Sequence, residues 1–372
     1  MSKLELRDVV KRYKKETVID QVSLSVAEGE TLVLFGASGA GKTVLLRMIA
    51  GVVMPDQGSV FIDGHDMIDV EAEDRGVGMA FQNFALFPHM NAFDNIASPL
   101  TANKNSRDVI KSGVEKVAKL LKIDHVLTHT PRELSNGQKQ RTALARALAG
   151  SPPILLLDDP LRNVDAKLRF EMRLELPQLL EQQGATVIYV TQDYKEAMAL
   201  GSRIAVLAAG KIEQIGTPAD IYLNPATLEI ARLFGDPVIN LFDVIGQRDS
   251  AGVFIELSGQ RLPLTDNKAA CVDTEAVLGI RPESISFVDE GTPGAIRINI
   301  EAETPLNEKI VTLALTEGGR EMLISRPAGS SAPSSGSACV TINQKALLLF
   351  NRATGHRIDD SRPAVSTDEV AA

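Results

Sequence analysis

Gly36-Ala-Ser38-Gly39-Ala-Gly41-Lys42-Thr43 fits the pattern G-x-x-x-x-G-K-[ST]. Glycines at these steps let successive backbone N–H groups curl around phosphate oxygens, with a helix N-terminus behind them. Lys42 is placed to reach the outer phosphates, and the Thr43 hydroxyl to ligate Mg²⁺. A second run, Ile154-Leu-Leu-Leu-Asp158-Asp159-Pro160, ends an apolar segment in two carboxylates. One such carboxylate can hold Mg²⁺ through water and its neighbour can orient an attacking water. Together the two runs point to chemistry on a nucleotide polyphosphate.

These residues need strands and helices to carry them. Thr31–Phe35 precedes the glycine run and reads as a buried strand, while Thr43–Ala50 reads as the helix behind it. Ile154–Leu157 is all apolar, as expected of a parallel strand buried on both faces. Thr186–Thr191 and Arg203–Ala208 read the same way, Val22–Val26 alternates, and Ser59–Gly64 reads as a strand and turn. Apolar residues at 110, 114, 117, 118 and 121 predict an amphipathic helix over Val109–Ile123. Leu168–Gln183 is helical in pattern, with Pro177 expected to end or kink it. This alternation predicts an α/β architecture. After about residue 240 the texture changes to short β segments such as GVFIEL, SISFV and KIVTLAL, separated by Gly, Pro and Asn, which predict a small barrel or sandwich. Pro327–Gly336 is low in complexity and reads as a flexible loop.

The chain has 372 residues, enough for two or three domains. Hydrophobic residues are 44% and charged residues 23%, so a core can form and wholesale disorder is excluded. The net charge is −9, the opposite sign from that of a general nucleic-acid binder. Residues 1–235 hold 27 basic and 29 acidic side chains, and residues 236–372 hold 12 and 19, which supports a boundary near 235. No apolar run approaches the length of a membrane span, and the N-terminal residues lack the apolar core of a signal peptide. Cys271 and Cys339 are far apart, lack metal-ligand spacing, and are expected reduced in a core. A soluble cytosolic protein is the expectation.

Leu134-Ser135-Asn136-Gly137-Gln138, followed by KQRTALARAL and the acidic strand, is similar to the LSGGQ signature of ABC transporter ATP-binding subunits. Phe81-Gln82-Asn-Phe-Ala-Leu-Phe-Pro-His89 resembles the family's Q-loop, Arg162-Asn-Val-Asp165 its D-loop, and Gln192 occupies the switch position. Tyr13 stands where the family places an aromatic that stacks on adenine. The segments at Ile215–Pro225, Phe234–Phe242, Gly279–Glu283 and Leu349–Ile358 resemble the carbohydrate importers of the maltose and glycerol-3-phosphate type.

The resemblance covers about residues 3–356. It implies an ABC ATPase domain over 1–235 with a helical subdomain at about 88–150. An OB-like (TOBE) β-domain for dimer contact and regulation follows over 236–358, then a flexible tail over 359–372. It implies ATP and Mg²⁺ as ligands, bound by Tyr13, Gly36, Ser38, Gly39, Gly41, Lys42 and Thr43. Thr43, Gln82 and Asp158 are the implied metal positions, and Asp159, Gln192 and Gln82 the catalytic ones. Ser135, Gly137 and Gln138, with Asp165, are implied to meet the nucleotide across a dimer interface. The implied partners are two membrane-spanning permease subunits, a second ATPase subunit and, indirectly, a periplasmic solute-binding protein. The implied location is the cytoplasmic face of the inner membrane, held peripherally.

Four positions depart from the family pattern. The general base is usually Glu and is here Asp159, whose carboxylate sits about 1.5 Å further back by one C–C bond. The switch His is Gln192, which can donate a hydrogen bond but carries no charge. Asn136 replaces a signature glycine, and Arg162 replaces a small D-loop residue. Asp159 and Gln192 change in the same site, which motivates a slow site paired with a more active subunit; tolerated drift in a working homodimer is the alternative. Rival readings are an importer of polyamine, sulfate, iron or molybdate, a non-transport ABC ATPase, and a regulatory module that holds ATP without turnover. The non-transport reading would call for basic arms or inserted coiled coils, which the chain lacks.

Overall fold

The computed structural model describes residues 2–264 and 271–358; the expected tail at 359–372 lies outside the described residues. The chain divides into two compact units, one running to Pro218 and the other beginning at Ala219.

The first unit contains, in order, β1 (Ser2–Tyr13), β2 (Glu16–Ala27), β3 (Thr31–Phe35), α1 (Lys42–Ile49), β4 (Gln57–Ile62), β5 (His65–Asp66) and β6 (Val77–Ala80). It continues with α2 (Ala92–Ala102), α3 (Arg107–Leu120), α4 (Asn136–Ala149), β7 (Ile154–Asp158), α5 (Ala166–Gln183), β8 (Thr186–Thr191), α6 (Tyr194–Leu200), β9 (Arg203–Ala208) and β10 (Lys211–Gly216). One sheet has the order β10-β9-β3-β8-β7-β6, parallel except for the β10 edge. Every residue of β7 and β8 is buried, as continuous apolar runs in a covered parallel sheet require. The crossovers bring the C-terminal ends of β3, β7 and β8 side by side, which is where open α/β sheets bind ligands.

A second, antiparallel sheet, β2-β1-β4-β5, packs Leu4, Leu6, Val9, Ile19, Val22 and Leu24 into the same core as α1 and the parallel strands. Sequence reading found no strand over Ser2–Tyr13. The structure supplies the reason: Asp8 adopts φ 48° and the β1–β2 register slips between Leu6 and Val9, which breaks the apolar alternation. The helix at α3 was expected and is present. α5 continues past Pro177, so the proline does not end the helix. Its buried stripe of Met172, Leu176, Leu179 and Leu180 anchors both sides of the proline, and this packing outweighs one lost backbone hydrogen bond.

The C-terminus of α1 is held by a buried arginine. Arg75 donates to the carbonyls of Met48 (3.1 Å), Ile49 (3.2 Å), Met67 (2.7 Å) and Val70 (3.0 Å). The positive guanidinium there complements the helix dipole. A Cβ at Gly51 would lie 2.6 Å from Arg75 Nε, so the glycine makes room for this plug.

The second unit opens with α7 (Pro218–Leu223) and α8 (Leu228–Leu233), so its start lies upstream of the composition change near 235. It is otherwise built of strands: β11 (Asn240–Ile245), β12 (Gln247–Asp249), β13 (Gly252–Leu257), β14 (Gln260–Pro263), β15 (Glu275–Ile280), β16 (Ile285–Val288), β17 (Ile296–Leu306), β18 (Lys309–Thr316), β19 (Glu321–Pro327), β20 (Gly336–Ile342) and β21 (Leu348–Asn351). They form antiparallel sheets β11-β15-β21, β12-β13-β14 and β16-β20-β17-β18-β19 around one apolar core. This β-rich architecture is consistent with a TOBE-type domain. Cys271 is buried in that core and Cys339 is half-buried on β20, and neither forms a disulfide among the described residues. Arg281 ties the two helices to the strands. It donates to Tyr222 O (2.8 Å), Ala231 O (3.2 Å) and Phe234 O, and its guanidinium lies 3.9 Å from the centre of the Tyr222 ring. The last α8 carbonyls thus receive the positive charge they favour.

Candidate active site

The turn between β3 and α1 cannot carry side chains at its key steps. A Cβ on Gly36 would lie 2.3 Å from Leu207 O, and one on Gly41 would lie 2.6 Å from Ile19 Cδ1. Gly39 and Gly41 have φ of +85° and +105°, the left-handed region that only glycine occupies cheaply. The loop therefore presents N–H groups at the start of α1, an arrangement that suits phosphate. Lys42 is buried and folds along the loop, donating to Gly36 O and Ala37 O at 2.7 Å each. Burial lowers its pKa, and Asp159 and Asp158 oppose that shift.

Asp158 ends β7 and Thr43 lies in the first turn of α1, which follows β3, with β8 between the two strands. The Thr43 hydroxyl donates to Asp158 Oδ1 at 3.1 Å. Burial raises the Asp158 pKa, and the Thr43 hydrogen bond lowers it. Asp159 follows at φ 51°, its N–H donating to Val190 O (3.0 Å) and its carbonyl accepting from Gln140 Nε2 (2.9 Å). Its backbone is thereby fixed from β8 and from α4. Burial also raises the Asp159 pKa; the nearby Arg162 guanidinium opposes this, as does a hydrogen bond from Gln192. Arg162 Nη1 lies 3.7 Å from Asp159 Oδ2.

Ser38, Gly39, Gly41, Lys42, Thr43, Gln82, Asp158, Asp159, Arg162 and Gln192 line one open cleft of about 260 Å³. The structure thus brings together most of the residues the sequence pointed to. A hydroxyl, a carboxylate and an amide oxygen in one place form a hard-oxygen donor set that suits Mg²⁺. Tyr13 is not among the lining residues; it sits exposed at the end of β1, and Val18 of β2 lines the cleft instead. Ser135, Gly137 and Gln138 stand at the N-terminus of α4, outside the cleft. Ser135 and Gln138 cap the helix reciprocally, with Ser135 N donating to Gln138 Oε1 at 2.9 Å. Asp165 likewise caps α5 through Leu168 N at 3.0 Å.

Three supporting residues escaped sequence reading. Gln140 is buried on α4 and also accepts from Asn163 N (2.9 Å), so one amide spans Asp159 and the following turn. It shares the helix's buried face with Ala143, Leu144 and Ala147, at i+3, i+4 and i+7, and a polar residue in that stripe was a readable signal. Arg146 donates to Ala85 O (2.8 Å) and Phe84 O (3.3 Å), fixing the loop after Gln82, where Phe84 and Ala85 have φ of 65° and 47°. Glu196 on α6 accepts from Tyr189 Oη and Thr191 Oγ1 at 2.9 Å each, and Thr191 Oγ1 in turn accepts from Asp193 N, which braces the turn bearing Gln192.

Residues 19–162 match the family described as ABC transporter. The chain is 39% identical over 362 residues to the sn-glycerol-3-phosphate import ATP-binding protein UgpC of Yersinia enterocolitica serotype O:8 / biotype 1B, covering 96% of this chain and 100% of that one. This chain belongs to the ABC transporter family. The same protein from Escherichia coli strain K12 is 38% identical over 361 residues, again at 96% and 100% coverage. The dimeric structure of a post-hydrolysis state of the ATP-binding cassette MJ0796, bound to ADP and Pi, aligns with 58% of this chain and 98% of that one at TM-score 0.55 and 32% identity. As an ABC transporter ATP-binding subunit, the chain binds ATP and is an ATPase. No helix among its described residues is long and apolar enough to cross a membrane.

Proposed function

We propose that this subunit hydrolyses ATP in the cleft between the glycine loop and Asp158–Asp159, and that the cycle drives import of a sugar phosphate, polyol or sugar. The observation that carries the site is the Thr43–Asp158 contact at 3.1 Å, in a cleft shared with Lys42, Gln82, Asp159 and Gln192. Thr43, Asp158 and Gln82 would hold Mg²⁺, which would offset the charge of the phosphates there. The loop N–H groups and Lys42 bind the phosphates, while Asp159 and Gln192 orient the attacking water. Ser135, exposed, and Gly137 and Gln138, half-buried, stand at the start of α4 clear of this cleft and would serve a second ATPase subunit's site. Tyr13 would stack on adenine. Glycerol 3-phosphate is the favoured cargo because the curated relatives that align along their whole length carry that name. Two permease subunits, a periplasmic binding protein and peripheral attachment at the cytoplasmic face complete the reading. Uptake of labelled glycerol 3-phosphate by cells holding this subunit as their sole matching ATPase tests it. Uptake lost with Lys42→Ala supports the reading; uptake unchanged by Lys42→Ala rejects it.

A second reading is favoured by the short carboxylate of Asp159 and the uncharged Gln192 in the same cleft: this site turns over slowly and depends on a faster partner subunit. A purified chain that alone reaches the ordinary range of about 1–10³ per second would exclude it.

A further inference from the structure

The cleft holds two carboxylates and a polyphosphate must enter it. Lys42 brings one positive charge and is already turned toward its own loop, at 2.7 Å from two carbonyls. Position 192 is a neutral amide. The remaining cation among the lining residues is Arg162, whose Nη1 stands 3.7 Å from Asp159 Oδ2. Its backbone is fixed: Arg162 N donates to Asp159 O (3.3 Å), and Arg162 O accepts from Arg169 Nη2 (3.1 Å). Asp159 is fixed as firmly, through Val190 and Gln140. One short turn, fixed on both sides, therefore holds a carboxylate and a guanidinium 3.7 Å apart, with the guanidinium half exposed (50%) toward the cleft.

We propose that Arg162 is a positioning residue for ATP hydrolysis: its ion pair holds the Asp159 carboxylate in the cleft and cancels the charge that would otherwise repel the nucleotide phosphates. This rests on the reading of the cleft as the nucleotide site. Asp159 is one methylene shorter than Glu, so its carboxylate lies close to its own turn and within reach of a cation on the same turn. Arg162 also restores a positive charge that the amide at position 192 lacks.

The test uses the full chain, with the non-hydrolysable analogue AMP-PNP and Mg²⁺ for affinity and ATP for turnover. Arg162→Ala should weaken AMP-PNP binding about fivefold and lower kcat about tenfold, as expected for an unpaired carboxylate facing phosphate. Arg162→Lys, which keeps the charge, should recover most of both. In an Asp159→Asn background there is no charge to cancel, and adding Arg162→Ala should change AMP-PNP affinity less than about twofold, the signature of coupling between the two positions. Unchanged affinity and turnover in Arg162→Ala would overturn the proposal, and so would faster turnover or an equal loss of affinity with Asn at 159. If the native chain itself fails to bind AMP-PNP, the nucleotide-site reading falls and the proposal with it; if the native chain binds and Arg162→Ala matches it, only the proposal falls.

Discussion

Asp159 starts from a backbone at φ 51° whose N–H and C=O are both engaged, so its carboxylate reaches only as far as one methylene allows. Lengthening that reach is a direct test. Asp159→Glu should raise turnover by about tenfold or more, since a misplacement near 1 Å can cost a hundredfold; an unchanged kcat in a steady-state assay would show that reach is not limiting. Glu196 makes a pH prediction. Burial raises its pKa in the folded chain above the ordinary 4.5, against the hydrogen bonds from Thr191 and Tyr189. The folded state therefore keeps this proton after the unfolded chain has lost it, and stability falls as pH rises from about 4.5 through the raised value. Glu196→Gln should lose less stability between pH 5 and pH 7 than the native chain, measured as the shift in urea midpoint. The glycines, Lys42, Thr43 and the aspartates were legible because phosphate chemistry constrains residue type and spacing. Glu196 was not, because its bracing of the turn bearing Gln192 depends on how α6 packs against β8, which no local pattern encodes.

Among the elements, α4 does the most to tie the site together. Its first turn is closed by the Ser135–Gln138 box, Gln140 grips the Asp159 turn, and Arg146 grips the loop after Gln82. Arg141 donates to Leu121 O (3.1 Å) and Lys122 O (3.0 Å), which caps α3. One rigid rod thus contacts the acidic turn, the Gln82 loop and the helical region. Gln140→Ala leaves Asp159 O and Asn163 N without this partner, and should cost about 1–3 kcal/mol of stability by denaturant unfolding, together with a fall in kcat. Gln140→Glu keeps the acceptor for Asn163 N but not the donor, and should fall between the two. The parallel strands were readable as apolar runs, and α3 from its spacing. β1 was hidden by its register slip, and α5 shows burial overriding a proline that local rules would make a stop.

For the whole molecule, each unit has its own apolar core. Residues 219–372 expressed alone should unfold cooperatively, and residues 1–218 alone should keep AMP-PNP binding, as judged by thermal melts and titration. Loss of binding in 1–218 would show that the second unit is needed to shape the cleft. The charge split found in the sequence tracks this division in kind, with most of the excess acid on the β-rich part. The change of texture near 240 was legible because strands and turns differ in composition from helices. The start of the second unit was not, because α7 and α8 look like a continuation of the α/β pattern and only their packing assigns them.

That packing bears on anyone who builds chimeras. Arg281 lies on the strand-rich side and clasps Tyr222, Ala231 and Phe234 on the two helices. A splice at residue 235 would part the clasp from what it holds and strand a buried guanidinium in the graft. A splice at 218 carries both halves together, so donor and acceptor chains exchange there as interchangeable parts.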